Sequence, residues 1–249
     1  MTQTSHDLLA GKVVVITAAA GTGIGAAAAK RCLEEGAQVM ISDWHERRLA
    51  EKAASLGVPA LVCDVTVEEQ VQALIDGAVA EFGRIDVLIN NAGLGGTRSV
   101  IDMPDEEWLR VLDVTLTGTF RCTRAALRQF VAQGGGGAIV NNASVVGWRA
   151  QAGQAHYAAA KAGVMALTRC SALDAAAHGV RINAVAPSLA MHPFLEKVTS
   201  AALLSELAGR EAFGRAAEPW EVANVMVFLA SDYAGYLTGE VVSVSSQHA

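Results

Sequence analysis

The sequence predicts an α/β fold: one domain, 1–249, built on a doubly wound parallel sheet of about seven strands with helices on both faces. Three observations predict it. Short β-branched runs alternate with longer alanine-rich stretches of helical period, and a repeated β-α order gives parallel strands joined by crossover helices. The first strand run, Val13-Val-Val-Ile-Thr17, is apolar throughout rather than alternating, as suits a strand covered on both faces. Hydrophobic residues make up 52% of the chain and charged residues 18%, below the usual share of about 25%. That balance supports a large core and an outer surface partly packed against partner subunits.

In chain order, the expected strands are Val13–Thr17, Gln38–Ser42, Ala60–Cys63, Val87–Asn90, Ala138–Asn142, Arg181–Ala186 and Glu240–Val244. Helical period covers Ile24–Glu35, Glu46–Leu56, Glu68–Phe82, Asp105–Ala132, His156–His178, Phe194–Ala208 and Pro219–Ala230. The run Gly134-Gly-Gly-Gly137 reads as a short return loop, because a strand follows at once and such connections are short. No repeat or linker divides the chain. Residues 11–93 form the expected cofactor half, and 94–249 the catalytic and substrate half.

Several classes are excluded early. A net charge of −6 is a poor footprint for nucleic acid. No apolar run reaches the ~18 residues of a membrane span. No basic residue precedes Lys12, so no signal peptide is expected. Cys32, Cys63, Cys122 and Cys170 lie far apart with no C-x-x-C pair, so neither a disulfide framework nor a metal site is expected. The reading is a cytoplasmic oligomer.

The first strand runs into Thr17-Ala-Ala-Ala-Gly21-Thr22-Gly23-Ile24-Gly25 and then a helix. Glycines there permit a tight turn, and the helix N-terminus offers N–H groups to a pyrophosphate. This is the context a Rossmann-type dinucleotide loop demands. Asp43 ends the second strand eighteen residues past Gly25, near the ~20 expected of the acid that grips a ribose. A carboxylate there favours NAD over NADP. Arg47 and Arg48, a turn into the next helix, are expected to face solvent. Asp64-Val65 and Asn90-Asn91-Ala92-Gly93 end the third and fourth strands, at the edge where such sheets bind ligands.

The chemistry centres on one tyrosine. Of the three in the chain, Tyr157 has a lysine, Lys161, four residues on and so on the same helix face. An ammonium beside a phenol favours the phenolate, and a tyrosine tuned in this way exchanges a proton with an alcohol or carbonyl. Ser144 follows the fifth strand, thirteen residues before Tyr157, and its hydroxyl can bond the same substrate oxygen.

Taken together, the glycine loop, Asp43, Asp64-Val65, Asn90-Asn91-Ala92-Gly93, Ser144, Tyr157-x-x-x-Lys161 and Asn183-Ala-Val-Ala-Pro187 resemble the short-chain dehydrogenase/reductase family from Gly11 to about Ser243. The resemblance implies that Tyr157 is the acid/base, that Lys161 also holds the nicotinamide ribose, and that the oligomer is a homotetramer or homodimer. It further implies cofactor contacts from Thr17, the Gly21–Gly25 loop, Asn91, Ala92, Gly93, Pro187 and His192. Four departures stand out. Ala18 occupies a usual glycine position in a loop one residue longer than the commonest form. Thr115 replaces an asparagine that orders a water in the proton relay, and is expected to complete that relay here. Ser188-Leu-Ala-Met-His192 and Ser245-Ser-Gln247 replace the family's usual segments.

These departures, with Ser42-Asp-Trp-His-Glu-Arg-Arg-Leu49, Asn141-Asn-Ala-Ser-Val-Val-Gly-Trp-Arg149 and Ala212–Trp220, are similar to actinobacterial steroid-degradation enzymes acting on a bicyclic indane-type acyl-CoA. The implied reaction is NAD-linked interconversion of a ring hydroxyl and a ketone on a CoA thioester. Trp148, Arg149, Met191 and Phe194 are the expected substrate contacts, with Leu189–Phe213 forming a cover. Two other readings stay open: a 3-oxoacyl-(acyl-carrier-protein) reductase using NADPH, and a dinucleotide-binding regulator without catalysis.

Overall fold

The computed structural model describes residues 5–191 and 201–246. Seven strands form one sheet: β1 (Val13–Ile16), β2 (Gln38–Asp43), β3 (Ala60–Val62), β4 (Val87–Asn90), β5 (Gly137–Asn142), β6 (Val180–Pro187) and β7 (Val241–Val244). Their order is β3-β2-β1-β4-β5-β6-β7, with every neighbouring pair parallel. This is the Rossmann-type doubly wound sheet the sequence predicts. The chain reverses its winding between β1 and β4, and that switch point opens a crevice at the carboxyl ends of the two strands.

Alternate residues of each strand serve opposite faces. Val14 and Ile16 join Val39, Ile41, Ile89 and Met226 in one core, against α1 (Ile24–Glu34) and α8 (Pro219–Ala230). Val13 and Val15 join Met40, Leu88, Ile139, Leu74 and Phe130 in the other, against α3 (Glu68–Phe82), α5 (Gly118–Gln133) and α6 (Ala155–Ala176). Both faces of the central strands β1 and β4 are dry, so these carry no polar alternation, whereas the edge strands β3 and β7 are partly exposed. Alanines at 28 and 29, fully buried, let α1 lie close to the sheet.

Between β2 and β3 runs α2 (Glu46–Leu56), closed by Gly57 in the left-handed region. The helix expected over Asp105–Ala132 proves to be two, α4 (Asp105–Leu112) and α5, joined by a π-helical turn at Asp113–Thr117. Of the segment expected as a helix from Phe194, the part before residue 201 lies outside the described residues; α7 spans Ala201–Arg210. Short 3-10 turns at Val100–Asp102, Val145–Gly147 and Asp232–Ala234 carry no sequence period and were not anticipated. Among the described residues, no helix is long and apolar enough to cross a membrane.

Candidate active site

At the switch point a cavity of about 1070 Å³ runs from Gly21–Gly23 past Asp43 and Asp64-Val65 to Gly93 and Leu94. This is at the upper end of ligand-site volumes. Gly23 caps α1 without a side chain, so the first-turn N–H groups remain available to an anion. Behind the loop, Gly25 is pressed against Asn91: a Cβ there would stand 2.4 Å from Asn91 Nδ2 and 2.5 Å from the Ala18 carbonyl oxygen. Glycine is therefore required by packing at that position, and Ile24 simply opens the helix. Ala18 takes a φ of 54°, the left-handed conformation that the glycine it replaces would adopt without strain.

Asp43 is buried at the end of β2. Its Oδ2 accepts from the Ala20 N–H at 3.2 Å and its Oδ1 from the His45 N–H at 3.0 Å. Each oxygen keeps a further lone pair for a ribose hydroxyl. Arg47 is exposed and paired with Glu51 at 2.7 Å, as expected. Arg48 is not: it turns into the cavity beside Asp43 and Trp44, and its Nε is buried without a hydrogen-bond partner among the described residues. The two arginines are consecutive, so one helix step separates the solvent face from the cavity face.

Thr17 and Asn91 stand behind the cavity and organise it. Thr17 Oγ1 accepts from the N–H groups of Asn91 and Ala92 at 3.0 and 3.1 Å. Asn91 Nδ2 donates to the Ala18 carbonyl at 3.0 Å, while its Oδ1 accepts from Asn142 Nδ2 at 2.9 Å. The Asn142 carbonyl in turn accepts from Lys161 Nζ. A second ladder runs beside it, from Asn90 to Asn141 at 2.9 Å and from Asn141 to Thr168 at 2.9 Å. Asn142 is thus an organising residue missing from the expected set. Its signal was the twin Asn-Asn endings of β4 and β5, which pair in register at Asn90 and Asn141.

Ser144 caps the Val145–Gly147 turn. Its Oγ accepts from the Val146 N–H at 3.4 Å and donates to the Pro187 carbonyl at 3.5 Å, and it stands near enough to Tyr157 to pull the phenol's pKa down. Gly147 lets this turn reach α6, because a Cβ would stand 2.7 Å from Met165 Cε and 3.1 Å from the Ala162 nitrogen. Lys161 is buried, with Nζ 5.5 Å from the Tyr157 ring centroid. The loop at Gly93–Gly95 joins this cluster to the cavity, since a Cβ on Gly93 would lie 3.3 Å from Lys161 Nζ.

Two features bear on these expectations. Burial governs the titration of both Tyr157 and Lys161. Burial pushes Tyr157 up to about 12, against a smaller downward pull from Ser144, and burial lowers Lys161 to about 8. Desolvation wins because it acts on both charged forms. The Thr115 hydroxyl is engaged by the backbone of Leu94. Fully buried, it accepts from the Leu94 N–H at 2.9 Å and donates to the Leu94 carbonyl at 3.1 Å. Its one proton is already committed, and the residue clamps the loop that flanks Lys161.

Trp148, half-exposed, and Arg149 follow directly after the Ser144 turn. Met191 is held through its N–H to the Ala217 carbonyl at 2.9 Å. His192 and Phe194 lie outside the described residues.

A dinucleotide-sized cavity at the switch point, bordered by a Ser-Tyr-Lys cluster, defines a nicotinamide-nucleotide-dependent oxidoreductase acting on CH–OH or ketone groups. A family model described as enoyl-(acyl carrier protein) reductase matches residues 18–246, and the chain belongs to this short-chain dehydrogenase/reductase family. It is 68% identical, over 98% of its length and 95% of the relative, to (5R,7aS)-5-hydroxy-7a-methyl-1-oxo-2,3,5,6,7,7a-hexahydro-1H-indene-carboxyl-CoA reductase of Mycobacterium tuberculosis. It is 43% identical to cis-4-hydroxycyclohexanecarboxylate dehydrogenase of Sinomonas cyclohexanicum, covering 96% of each. The crystal structure of a short chain dehydrogenase from Mycobacterium smegmatis superposes with a TM-score of 0.88 at 60% identity, covering 99% of this chain and 97% of that one.

Proposed function

We propose that this chain interconverts the ring hydroxyl and ketone of a bicyclic hexahydroindene-type acyl-CoA in steroid ring degradation, with NAD as the preferred nucleotide. The 68% identity to the M. tuberculosis reductase supports the substrate class, and the convergence of Ser144, Tyr157 and Lys161 beside the cavity carries the chemistry.

The residues present fit a nicotinamide dinucleotide. The open α1 N-terminus suits the pyrophosphate and Asp43 a ribose diol. Arg48 brings an unpartnered donor to the same end. When bound, such a nucleotide supplies a hydride-accepting carbon and a positive ring charge. Lys161, steadied by the Asn142 carbonyl, keeps two N–H donors for a ribose hydroxyl and the phenol. Ser144, whose present bonds are long at 3.4 and 3.5 Å, turns its hydroxyl to the substrate oxygen. Tyr157 takes or gives the proton at that oxygen. Burial favours its neutral form, so the phenol is held as the acid for ketone reduction and becomes the base only when positive charge stands beside it. We further propose a homotetramer or homodimer, and one domain over 1–249.

The test is turnover of the hydroxy-hexahydroindene-carboxyl-CoA with NAD and with NADP, beside a 3-oxoacyl carrier substrate with NADPH. NAD-linked turnover of the former is expected. Faster reduction of the carrier substrate with NADPH overturns the reading in favour of a biosynthetic reductase. Nucleotide binding without any turnover leaves a regulator.

A further inference from the structure

Immediately before Tyr157 stands a residue that neither the mechanism nor the packing explains. His156 is fully buried, and neither ring nitrogen has a hydrogen-bond partner among the described residues. Each orphaned polar atom in such a place is destabilising, and an apolar ring of similar shape would avoid the cost. The nearest charge is Glu107 on the first turn of α4, whose Oε1 lies 3.5 Å from His156 Nε2. That is just beyond hydrogen-bond length, and a shift of about 0.5 Å would close it. The other oxygen, Oε2, already accepts from Arg98 Nε. Arg98 ends the loop that leaves Gly93, and its backbone N–H donates to the Gly153 carbonyl at 2.8 Å, just ahead of α6. Gly95 in that loop lies against the Tyr157 ring, where a Cβ would be 3.7 Å from Cδ2.

We propose that Arg98, Glu107 and His156 form a clasp that closes the substrate-side loop onto the first turn of α6 and so positions Tyr157. This rests on the reading of Tyr157 as the proton-transferring group. One carboxylate bridges three elements: α4 through its own chain, the loop through Arg98 and α6 through His156. Its second arm ends 3.5 Å from His156 Nε2. Substrate entering beside Gly95 draws loop and helix together, and the Nε2–Oε1 contact becomes a hydrogen bond. Hydrogen bonds of active sites commonly tighten in this way only in the complex. His156 is a positioning residue: it reaches the reacting atoms only through the peptide bond it shares with Tyr157.

The experiment compares His156→Phe, His156→Gln and Glu107→Gln with the parent chain. It measures kcat and KM for the hydroxy-hexahydroindene-carboxyl-CoA, KM for NAD, and Tm. His156→Phe is expected to lower kcat about tenfold, the scale of one charge-assisted hydrogen bond, with KM for NAD unchanged and Tm equal or higher. His156→Gln, which keeps a donor, should retain at least about a third of the parent kcat. Glu107→Gln, partly exposed and so safe for folding, keeps an acceptor oxygen but gives up the charge, and should lose about two- to threefold in kcat. Combining it with His156→Phe should cost no more than His156→Phe alone, as for partners in one interaction. A kcat for His156→Phe within twofold of the parent overturns the clasp. So does a loss that follows a falling Tm and that glutamine does not rescue. Tyr157→Phe is run alongside: wild-type turnover there would sink the underlying reading of the site rather than the clasp.

Discussion

Replacing Thr115 by valine removes one hydroxyl and leaves the shape of the side chain intact, so the cost is polar. That hydroxyl holds both backbone groups of Leu94, at 2.9 and 3.1 Å, from a fully buried position. Valine orphans one donor and one acceptor, each worth about 1–3 kcal/mol when water cannot replace the partner. Leu94 is only half-buried, which places the sum near the lower end, about 2–3 kcal/mol. For a chain of this length each 1 kcal/mol moves Tm by about 2–4 °C, so a fall of about 4–12 °C is expected. Turnover should drop several-fold, because the loosened loop flanks Lys161. Thr115→Ser keeps both bonds and should behave like the parent in both respects. Thermal melts at equal protein concentration, with initial rates on the same samples, decide the matter. A relay through Thr115 predicts slowed turnover at an unchanged Tm, whereas the clamp predicts that both fall. A valine variant melting within about 1 °C of the parent refutes the clamp.

Tyr157→Phe should lower turnover at least ~100-fold while NAD affinity, read by fluorescence titration, stays put; full activity would remove the residue from the chemistry. The Asp43 carboxylate should favour NAD over NADP at least tenfold in kcat/KM, through repulsion of the 2′-phosphate. Asp43→Ala narrows that gap, and Arg48→Ala widens it by weakening NADP more than NAD; a parent enzyme preferring NADP contradicts this account. Lys161 is held at about 8 against its ordinary 10.5, so its charged form is the one the fold disfavours. The cost is complete below pH 8 and is relieved as pH rises toward 10.5. Relative to Lys161→Met, the parent should therefore gain up to about 3 kcal/mol across that window. The difference between the two proteins is the quantity to follow. Cys32 and Cys63, pushed up to about 12 by burial, pull absolute stability the other way above pH 9. Parallel stability curves would show that Lys161 is not desolvated.

The central strands were legible because burial on both faces makes them uniformly apolar: Val13–Ile16 carries no other message. The helices α2, α3 and α8 were legible end to end because their periods stop at strong local signals, such as Gly57 and Gly83 in the left-handed region and Pro219 at a first turn. Less visible were features decided by partners distant in sequence. The π-helical turn at Asp113–Thr117 has no period of its own; the Thr115 hydroxyl bonds a backbone 21 residues earlier. Asn142 looks like a strand end until β4 lies beside it. Arg47 and Arg48 are chemically identical, and a single step of helix phase sends one to solvent and the other to the cavity. The lysine–tyrosine pairing was readable from spacing, but the sign of the net shift on the phenol was not, since desolvation depends on everything that packs around it.

The hydrogen-bonded run from Ala18 through Asn91 and Asn142 to Lys161 has a mechanical consequence. It crosses the switch point from side to side, so the two halves of the site cannot be set independently: the glycine-loop backbone and the ammonium beside the phenol are ends of one short strut. Much of the ordering that a ligand would otherwise impose is completed when the chain folds, and association loses correspondingly less freedom. The same strut makes the site unforgiving. A side chain that pushed Ala18 aside would be felt at Lys161, three hydrogen bonds away, without touching it.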